Sequence, residues 1–301
     1  MRTEDKPLAI LCSDIHLSHV APAARRGEPN WYDAMTRGLR QLRALQQSLN
    51  NVVIICAGDI FDRWNSPPEL INFALCELPD MWAIPGQHDL PLHNYDSIGK
   101  SAFWTLVMAG KIEQLDNVGK DLGPFMVYGF PWGREIEPPD YNYTSKNLAV
   151  VHSFIWTDDY GYPGAPTDAL VNSFRKKLEG YSAAVFGDNH KGFLVDGGKP
   201  YILNCGTFFR RKSDEIDYRP SVGVLHRSGK IVRHFLDTDS ECIEKVEDRS
   251  EGERAPSFDE FIKQLSGLAA DPLSFVEALD RVMGKCSDGV RRVLQEALDG
   301  R

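Results

Sequence analysis

The first apolar run of the chain ends in the stretch Leu8-Ala9-Ile10-Leu11-Cys12-Ser13-Asp14-Ile15-His16. The run is short enough to be a buried strand, and residues two apart on a strand point to the same face. Asp14 and His16 should therefore leave the strand side by side, as a carboxylate and an imidazole that can bind one metal ion. An Asp-x-His triplet is common by chance, so this stretch alone does not identify a site.

Four later apolar runs end at the same kinds of residue. They lead into Gly58-Asp59-Ile60-Phe61-Asp62, Gly86-Gln87-His88-Asp89, His152-Ser153 and Gly187-Asp188-Asn189-His190. In open α/β sheets, ligands bind where the carboxyl ends of the strands meet. The sequence therefore predicts that five strand ends bring carboxylate, amide and imidazole side chains to one site.

The composition of the 301 residues, 42% hydrophobic and 26% charged, is typical of a globular protein. No apolar run reaches the roughly 18 residues of a membrane helix, and the N-terminus has no signal-peptide pattern. Six cysteines without CxxC spacing favour reduced thiols and a cytoplasmic location.

The net charge of −9 argues against binding nucleic acid through bulk electrostatics. Bound cations would offset several acids, and the basic clusters Arg25-Arg26 and Arg210-Arg211-Lys212 are expected on the solvated surface.

Helical and strand patterns alternate along the chain. Helices are predicted at 33–49, from Pro67-Pro68 to Pro79, near 98–109 and at 168–179, and short strands follow His190. This alternation favours two βαβ-like halves that meet as a sandwich with helices outside.

Three segments are predicted along the chain. Residues 1–239 form the catalytic domain, and residues 240–256 are a charged linker without an apolar period. Residues 257–301 contain three short helical patterns, the first with the capping-box spacing Ser257-Phe258-Asp259-Glu260. Three such short helices cannot bury their apolar faces among themselves, so this segment should pack on the main domain or on a partner.

In this order, the five motifs resemble the signature of the calcineurin-like metallophosphoesterase superfamily, which is DxH, GDxxD, GNHD/E, a lone His and GHxH. The resemblance covers about residues 7–237. It implies an α/β fold in which a two-sheet β-sandwich is flanked by helices (αββα), with the C-terminal helices as a small appendage. It also implies two divalent metal ions and a metal-bound hydroxide that attacks phosphorus.

The resemblance assigns a role to each motif residue. It places Asp14, His16 and His190 on one metal and Asp59 between the two metals. It places Gln87, His152 and Asp188 on the second metal. His88 stands at the position of the general acid or transition-state donor, and Asp62 at the position of the residue that orients and charges this histidine.

Two residues depart from the family pattern: Gln87 replaces asparagine and Asp188 replaces histidine. Both keep an atom that can bind a metal, and they make the second site rich in oxygen, which suits Mn²⁺ or Mg²⁺ better than Zn²⁺. We therefore expect two divalent ions, Mn²⁺ first, with Mg²⁺ or Fe²⁺ as alternatives. In a different interpretation, Asp188 only caps a turn and one metal is bound.

Smaller features are similar to the SbcD-type DNA-repair nucleases. These features are Pro67-Pro68 after the second motif, Ile84-Pro85-Gly86 before the third, and Asn204-Cys205-Gly206-Thr207 followed by Arg210. The resemblance implies a phosphodiesterase acting on DNA, with C-terminal helices that bind an SMC-like ATPase subunit. With the metal preference drawn from Asp188, the expected enzyme is a Mn²⁺-dependent DNA nuclease, and a second copy of the chain, in a homodimer, is the other candidate partner. The short chain suits a phage-encoded relative with a reduced DNA-capping domain. Arg63 and Arg210 are the candidate substrate-binding residues.

Two alternatives remain at this stage. A phosphomonoesterase of the serine/threonine protein-phosphatase type would share the GDxxDR pattern and would use Arg63 to bind phosphate, but here no arginine lies between His88 and Arg134. A non-catalytic scaffold is the least favoured alternative, because Asp59 and His88 are both retained.

Overall fold

The computed structural model describes residues 5–139, 146–157 and 165–245. Within these residues, twelve strands form two mixed six-stranded sheets. The strands are β1 (Pro7–Cys12), β2 (Val53–Cys56), β3 (Met81–Ala83), β4 (Ile112–Gln114), β5 (Lys120–Asp121), β6 (Phe125–Phe130), β7 (Lys146–His152), β8 (Ala183–Gly187), β9 (Phe193–Val195), β10 (Tyr201–Asn204), β11 (Ser221–His226) and β12 (Ile231–Phe235). The predicted two-sheet α/β fold is confirmed.

The first sheet has the strand order β12-β11-β1-β2-β3-β4, and the second has the order β5-β6-β7-β8-β10-β9. The strands β1 to β4 are parallel to one another, as are β6, β7, β8 and β10. Antiparallel strands lie at the edges, where β11 and β12 extend the first sheet. The strands that carry the five motifs are therefore interior strands, with the motifs at their carboxyl ends.

Four α-helices lie in the described part of the chain, at α1 (Trp31–Ser48), α2 (Pro68–Glu77), α3 (Ala102–Met108) and α4 (Val171–Phe174). The side chain of Asn30 accepts hydrogen bonds from the N–H groups at the start of α1, and Pro68 at the first position of α2 has no N–H that needs a partner. The helix expected at 168–179 is wrong in its length. That stretch contains only the four residues of α4, flanked by 3₁₀ turns.

Strand β1 shows how the layers are built. Ala9 and Leu11 pack with residues of the second sheet, whereas Ile10 and Cys12 pack with the helices α1 to α3. Both faces of the strand are buried, which explains its continuous apolar sequence. A third cluster joins the outer face of the second sheet to α4 through Phe174 and Phe186.

By its contacts the chain divides into Met1–Val246 and Glu247–Arg301. The predicted helical segment 257–301, and the linker from residue 246 onward, lie outside the described residues, so these boundaries stay predictions. None of the helices in the described ranges is long and apolar enough to span a membrane.

Candidate metal centre

The motif residues meet where the two sheets face each other. Asp14 and His16 follow β1, Asp59 follows β2, and Gln87 and His88 follow β3 in the first sheet. In the second sheet, His152 is the last residue of β7, and Asp188 and His190 follow β8. Parallel strands bring these carboxyl ends to one edge, as the pattern of motifs predicts.

The first group of potential ligands is Asp14, His16 and His190. His16 Nε2 lies 3.1 Å from His190 Nε2 and 3.9 Å from Asp14 Oδ1. His190 Nε2 lies 4.0 Å from the same Asp14 oxygen. Two imidazole nitrogens and a carboxylate oxygen thus converge on one point.

Asp59 lies between this group and the second one. Its Oδ2 atom is 3.8 Å from His16 Nε2 and 3.5 Å from His152 Nε2. Its other oxygen, Oδ1, accepts a hydrogen bond from the backbone N–H of His88 at 2.9 Å. The position of Asp59 suits the bridging role that the resemblance implies.

Gln87, His152 and Asp188 form a chain of contacts on the far side of Asp59. Gln87 Oε1 is 2.6 Å from His152 Nε2, and Gln87 Nε2 donates to Asp188 Oδ1 at 2.7 Å. His152 Nδ1 faces the backbone oxygen of Ala57 at 2.6 Å, which fixes its ring and leaves Nε2 toward the site. The structure thus brings all seven predicted ligands together.

The backbone is strained at four of these residues. Asp14, His16, Asp59 and Asp188 have φ values of 50°, 48°, 52° and 92°. Left-handed conformations cost roughly 1–2 kcal/mol for a residue with a Cβ, although Asp, Asn and His tolerate them better than most. Strain of this kind persists where the surrounding structure fixes a functional geometry.

Two glycines let the motif loops approach one another. Gly58 has φ 97°, and a Cβ there would collide with His152 Nδ1. A Cβ on Gly86 would collide with the carboxylate of Asp59. Any side chain at either position would push the candidate ligands apart.

Burial and mutual charge shift the pKa values of the cluster. Asp14 is fully buried, and burial together with the charge of Asp59 raises its pKa to about 8, against the opposing effect of His152. Burial alone would raise the pKa of Asp59 and lower that of His152. For each residue, the charge of the other outweighs the effect of burial. The pKa of Asp59 therefore falls, and that of His152 rises to about 10.

Asp62 contacts His88 through its main chain and not through its carboxylate. His88 Nδ1 faces the backbone oxygen of Asp62 at 2.8 Å. The Asp62 carboxylate is 2.5 Å from Arg211 Nη2 and only 3.8 Å from His16 Nδ1. Asp62 therefore orients His88 through its backbone oxygen, because its carboxylate is bound by Arg211. The sequence did not predict this contact with Arg211.

Asp89 joins the second and third motifs. It is fully buried, and its carboxylate accepts three backbone N–H groups, from Ile60 at 3.1 Å, Phe61 at 3.0 Å and Gly86 at 3.0 Å. Burial and the charge of Asp59 raise its pKa to about 7 despite these three hydrogen bonds. Its sequence signal was its place directly after His88, at the end of a buried strand.

A cleft of about 500 Å³ lies over the first ligand group. Its lining residues are His16, Pro22, Ala23, Ala24, Asp62, His88, His190, Arg211, Lys212 and Ser213. The charges of Lys212 and Arg211, added to burial, lower the pKa of His190 to about 4. Two cationic side chains therefore stand beside the reaction centre.

The predicted substrate-binding arginines lie elsewhere. Arg63 is exposed and lines a neighbouring cavity of about 290 Å³, which shares Asp62 with the cleft. The guanidinium of Arg210 is buried and hydrogen-bonded to Glu241 and to backbone oxygens of Ile216 and Thr238. Its neighbour Arg211 reaches the cleft instead. The expected surface location of the two basic clusters is wrong for Arg25 and Arg210, both of which are buried.

The family model of the calcineurin-like phosphoesterases matches residues 9–192, which include all five motifs. The chain belongs to this family. No protein of curated function matches the sequence. This calcineurin-like phosphoesterase is therefore a metal-dependent phosphoester hydrolase by family, and its substrate has to be inferred from the site.

Solved structures similar to this phosphoesterase share little sequence with it. An archaeal phosphodiesterase is 12% identical, with a TM-score of 0.39 over 76% of this chain and 99% of its own. A putative 5'-nucleotidase from Staphylococcus aureus is 11% identical, with a TM-score of 0.46 over 86% of this chain and 58% of its own. A metallophosphoesterase from Sphaerobacter thermophilus is 14% identical, with a TM-score of 0.33 over 76% and 87%. At these scores the family match, not the likeness to these structures, supports the assignment.

The donor set of this phosphoesterase fits divalent metal ions. Asp59 Oδ2 is buried and has no hydrogen-bond partner among the described residues. Two fully buried carboxylates, Asp14 and Asp59, lie together with imidazole nitrogens within 4.0 Å of each, and the hydroxyl of Ser13 donates to Asp14. Burying such charges is costly unless they are paired or coordinate metal ions. Mixed oxygen and nitrogen donors around a shared carboxylate are what a two-metal site requires.

Proposed function

We propose that this protein is a Mn²⁺-dependent phosphodiesterase that cleaves DNA. The family supplies the hydrolysis of a phosphoester and the dependence on metal. The proposal that the substrate is DNA depends on how charge is distributed around the candidate metal centre.

The observation that carries the proposal is the pair of adjoining cavities. The cleft with Arg211 and Lys212 and the cavity with Arg63 meet at Asp62. Cationic side chains therefore line both of these adjoining cavities, at positions where successive phosphates of a polymer could bind. A substrate with one terminal phosphate would use only one of the two cavities. Such local contacts make binding possible despite the net charge of −9.

The seven ligand candidates would hold two ions, and His88 would act on the leaving group. When bound, the ions supply Lewis acidity to the phosphoryl oxygens and activate water for attack on phosphorus. The backbone oxygen of Asp62 fixes Nδ1 of His88. Because this oxygen can only accept, Nδ1 carries a proton, and Nε2 donates a proton or a hydrogen bond to the leaving oxygen when the ring of His88 is the imidazolium. Arg211 is placed to bind a non-bridging oxygen.

Manganese is proposed from the donor set. Gln87 and Asp188 contribute oxygen atoms where the family pattern has one oxygen and one imidazole nitrogen, and their contact at 2.7 Å holds both at the site. Carboxylate, carbonyl and imidazole ligands together suit Mn²⁺, whereas more imidazoles would favour Zn²⁺. Full activity with Zn²⁺ and none with Mn²⁺ would contradict this part of the proposal.

The deciding experiment compares substrates in the presence of Mn²⁺. Linear DNA, closed-circular DNA, bis-p-nitrophenyl phosphate and p-nitrophenyl phosphate are incubated with the full chain, and Asp59→Asn serves as the inactive control. Cleavage of DNA and of the diester supports the proposal. Turnover of the monoester alone would instead assign the protein to the phosphomonoesterases. Cleavage of linear but not closed-circular DNA would identify an exonuclease.

A further inference from the structure

The segment that follows the last strand packs against helix α1 and against the loop of residues 24–28, whose first residue lines the cleft. After β12 the backbone N–H of Glu244 donates to the oxygen of Ala24 at 2.8 Å. The backbone N–H of Cys242 donates to the carboxylate of Glu28 at 2.8 Å. The side chain of Gln41 donates to the backbone oxygen of Asp237 at 2.8 Å and accepts from its N–H at 2.7 Å. Cys242 and Glu244, at the start of the predicted linker 240–256, therefore pack on the catalytic domain.

One carboxylate in this segment contacts two buried arginines. Glu241 Oε2 is 2.7 Å from Arg210 Nε and 3.2 Å from Arg25 Nη1. The side chain of Arg25 is fully buried, and that of Arg210 is 9% exposed. Arg25 also donates to the backbone oxygen of Arg210 at 2.8 Å. Glu241 thus completes a direct connection between residues 25 and 210.

The two arginines belong to two loops that both line the cleft. Arg25 directly follows Ala23 and Ala24, which line the cleft, and Arg210 directly precedes Arg211 and Lys212. Arg211 in turn contacts the carboxylate of Asp62. A change at Glu241 should therefore reach both parts of the lining without touching a motif residue.

Charge balance makes Glu241 necessary to this arrangement. Three arginines, Arg25, Arg37 and Arg210, meet two carboxylates, those of Glu28 and Glu241. Glu28 is already shared between Arg25 and Arg37. Buried guanidinium groups need a paired carboxylate, so Arg210 depends on Glu241.

We propose that Glu241 is a positioning residue for the phosphoesterase reaction. Its carboxylate holds residues 22–28 and 208–212 at a fixed separation and so places Arg211 against the substrate's phosphate. The inference depends on the family activity and on the geometry of the cleft, and it does not require DNA to be the substrate.

The test uses full-length Glu241→Gln and Glu241→Asp variants, with Asp239→Asn as the matched control. Asp239 is exposed and lies two residues before Glu241, so it controls for the loss of one negative charge. With Mn²⁺ and bis-p-nitrophenyl phosphate, we expect Glu241→Gln to raise KM roughly three- to thirtyfold while kcat changes less than threefold. Glu241→Asp should recover part of the affinity, and Asp239→Asn should match the wild type.

Amide hydrogen exchange gives a readout that does not need turnover. In Glu241→Gln we expect faster exchange at residues 22–28 and 208–212 together, with Asp239→Asn unchanged. Faster exchange confined to residues 237–245, with KM unchanged, would show that Glu241 only attaches its own segment and would overturn the proposal. If Glu241→Gln does not fold, the same two measurements on Arg210→Lys decide the question, since lysine keeps the charge but loses the guanidinium geometry.

Discussion

Asp89 should stabilise this protein more than its side-chain size suggests. Its carboxylate accepts three buried backbone N–H groups, two from the loop that follows Asp59 and one from Gly86. In Asp89→Ala these donors lose their acceptor inside the protein, where water reaches them poorly. Each buried, unsatisfied donor costs about 1–3 kcal/mol, and removing a buried carboxylate returns part of that cost. We expect the free energy of unfolding to fall by about 3–6 kcal/mol, a large share of the 5–15 kcal/mol typical of a domain.

The graded variant Asp89→Asn separates hydrogen bonding from packing. The amide oxygen can keep the two donors that share Oδ2, while its NH₂ group opposes the N–H of Phe61. We expect this variant to lose about 1–2 kcal/mol. Asp96 is exposed in the same region of the chain, and Asp96→Ala should change stability by less than about 0.5 kcal/mol.

Urea unfolding followed by tryptophan fluorescence measures these differences at pH 8, in EDTA so that metal binding does not contribute. Turnover of a diester with Mn²⁺ should fall in the same order, since Asp89 joins the loops that carry Asp59 and His88. An Asp89→Ala protein within 1 kcal/mol of the wild type would refute the reasoning, because the three donors would then have found other partners.

Three further outcomes are expected. His88→Ala should keep metal binding by calorimetry but lose turnover by roughly 10²–10⁴-fold; loss of metal would make His88 a ligand. Arg211→Ala should raise KM for a diester about tenfold, with Arg211→Lys intermediate; an unchanged KM would remove Arg211 from substrate binding. Burial alone would raise the pKa of Glu28, but Arg37 and Arg25 hold it below the usual value. Glu28→Gln should therefore cost about 3 kcal/mol at pH 7. In urea titrations this cost should begin to shrink below about pH 4.3 and be lost as the pH falls through the lower pKa of the folded state; a cost that does not change with pH would contradict this.

The fold and the assembly of the site were predictable because they follow from local patterns. Apolar runs that end in Asp or His identify parallel strands and the edge at which they meet. The runs before Asp14, Asp59 and Asp188 each became a strand with the motif at its carboxyl end. The short edge strands β4 and β5 were missed, since two or three residues leave no periodic signal.

The contacts of charged residues could not be predicted from the sequence. Arg210 and Arg211 are adjacent and chemically identical, yet one is buried against Glu241 and the other faces the cleft. Which of the two arginines is buried depends on the carboxylate of Glu241, which lies 31 residues after Arg210. Glu241 itself sits in a charged stretch that resembles a solvated linker. The role of Asp89 could not be predicted either, because its three partners are backbone groups that carry no sequence signature.

The left-handed backbone at Asp14, His16, Asp59 and Asp188 has a consequence for anyone who evolves this protein. Glycine would relax all four positions. At the three aspartates it would also remove a carboxylate, which is fully buried at Asp14 and Asp59 and partly buried at Asp188. A library selected for thermal resistance in the presence of a chelator should therefore accumulate glycine there. The same library selected with manganese should retain the original residues. Selection for thermal stability and selection for catalysis would thus favour different residues at the same four positions.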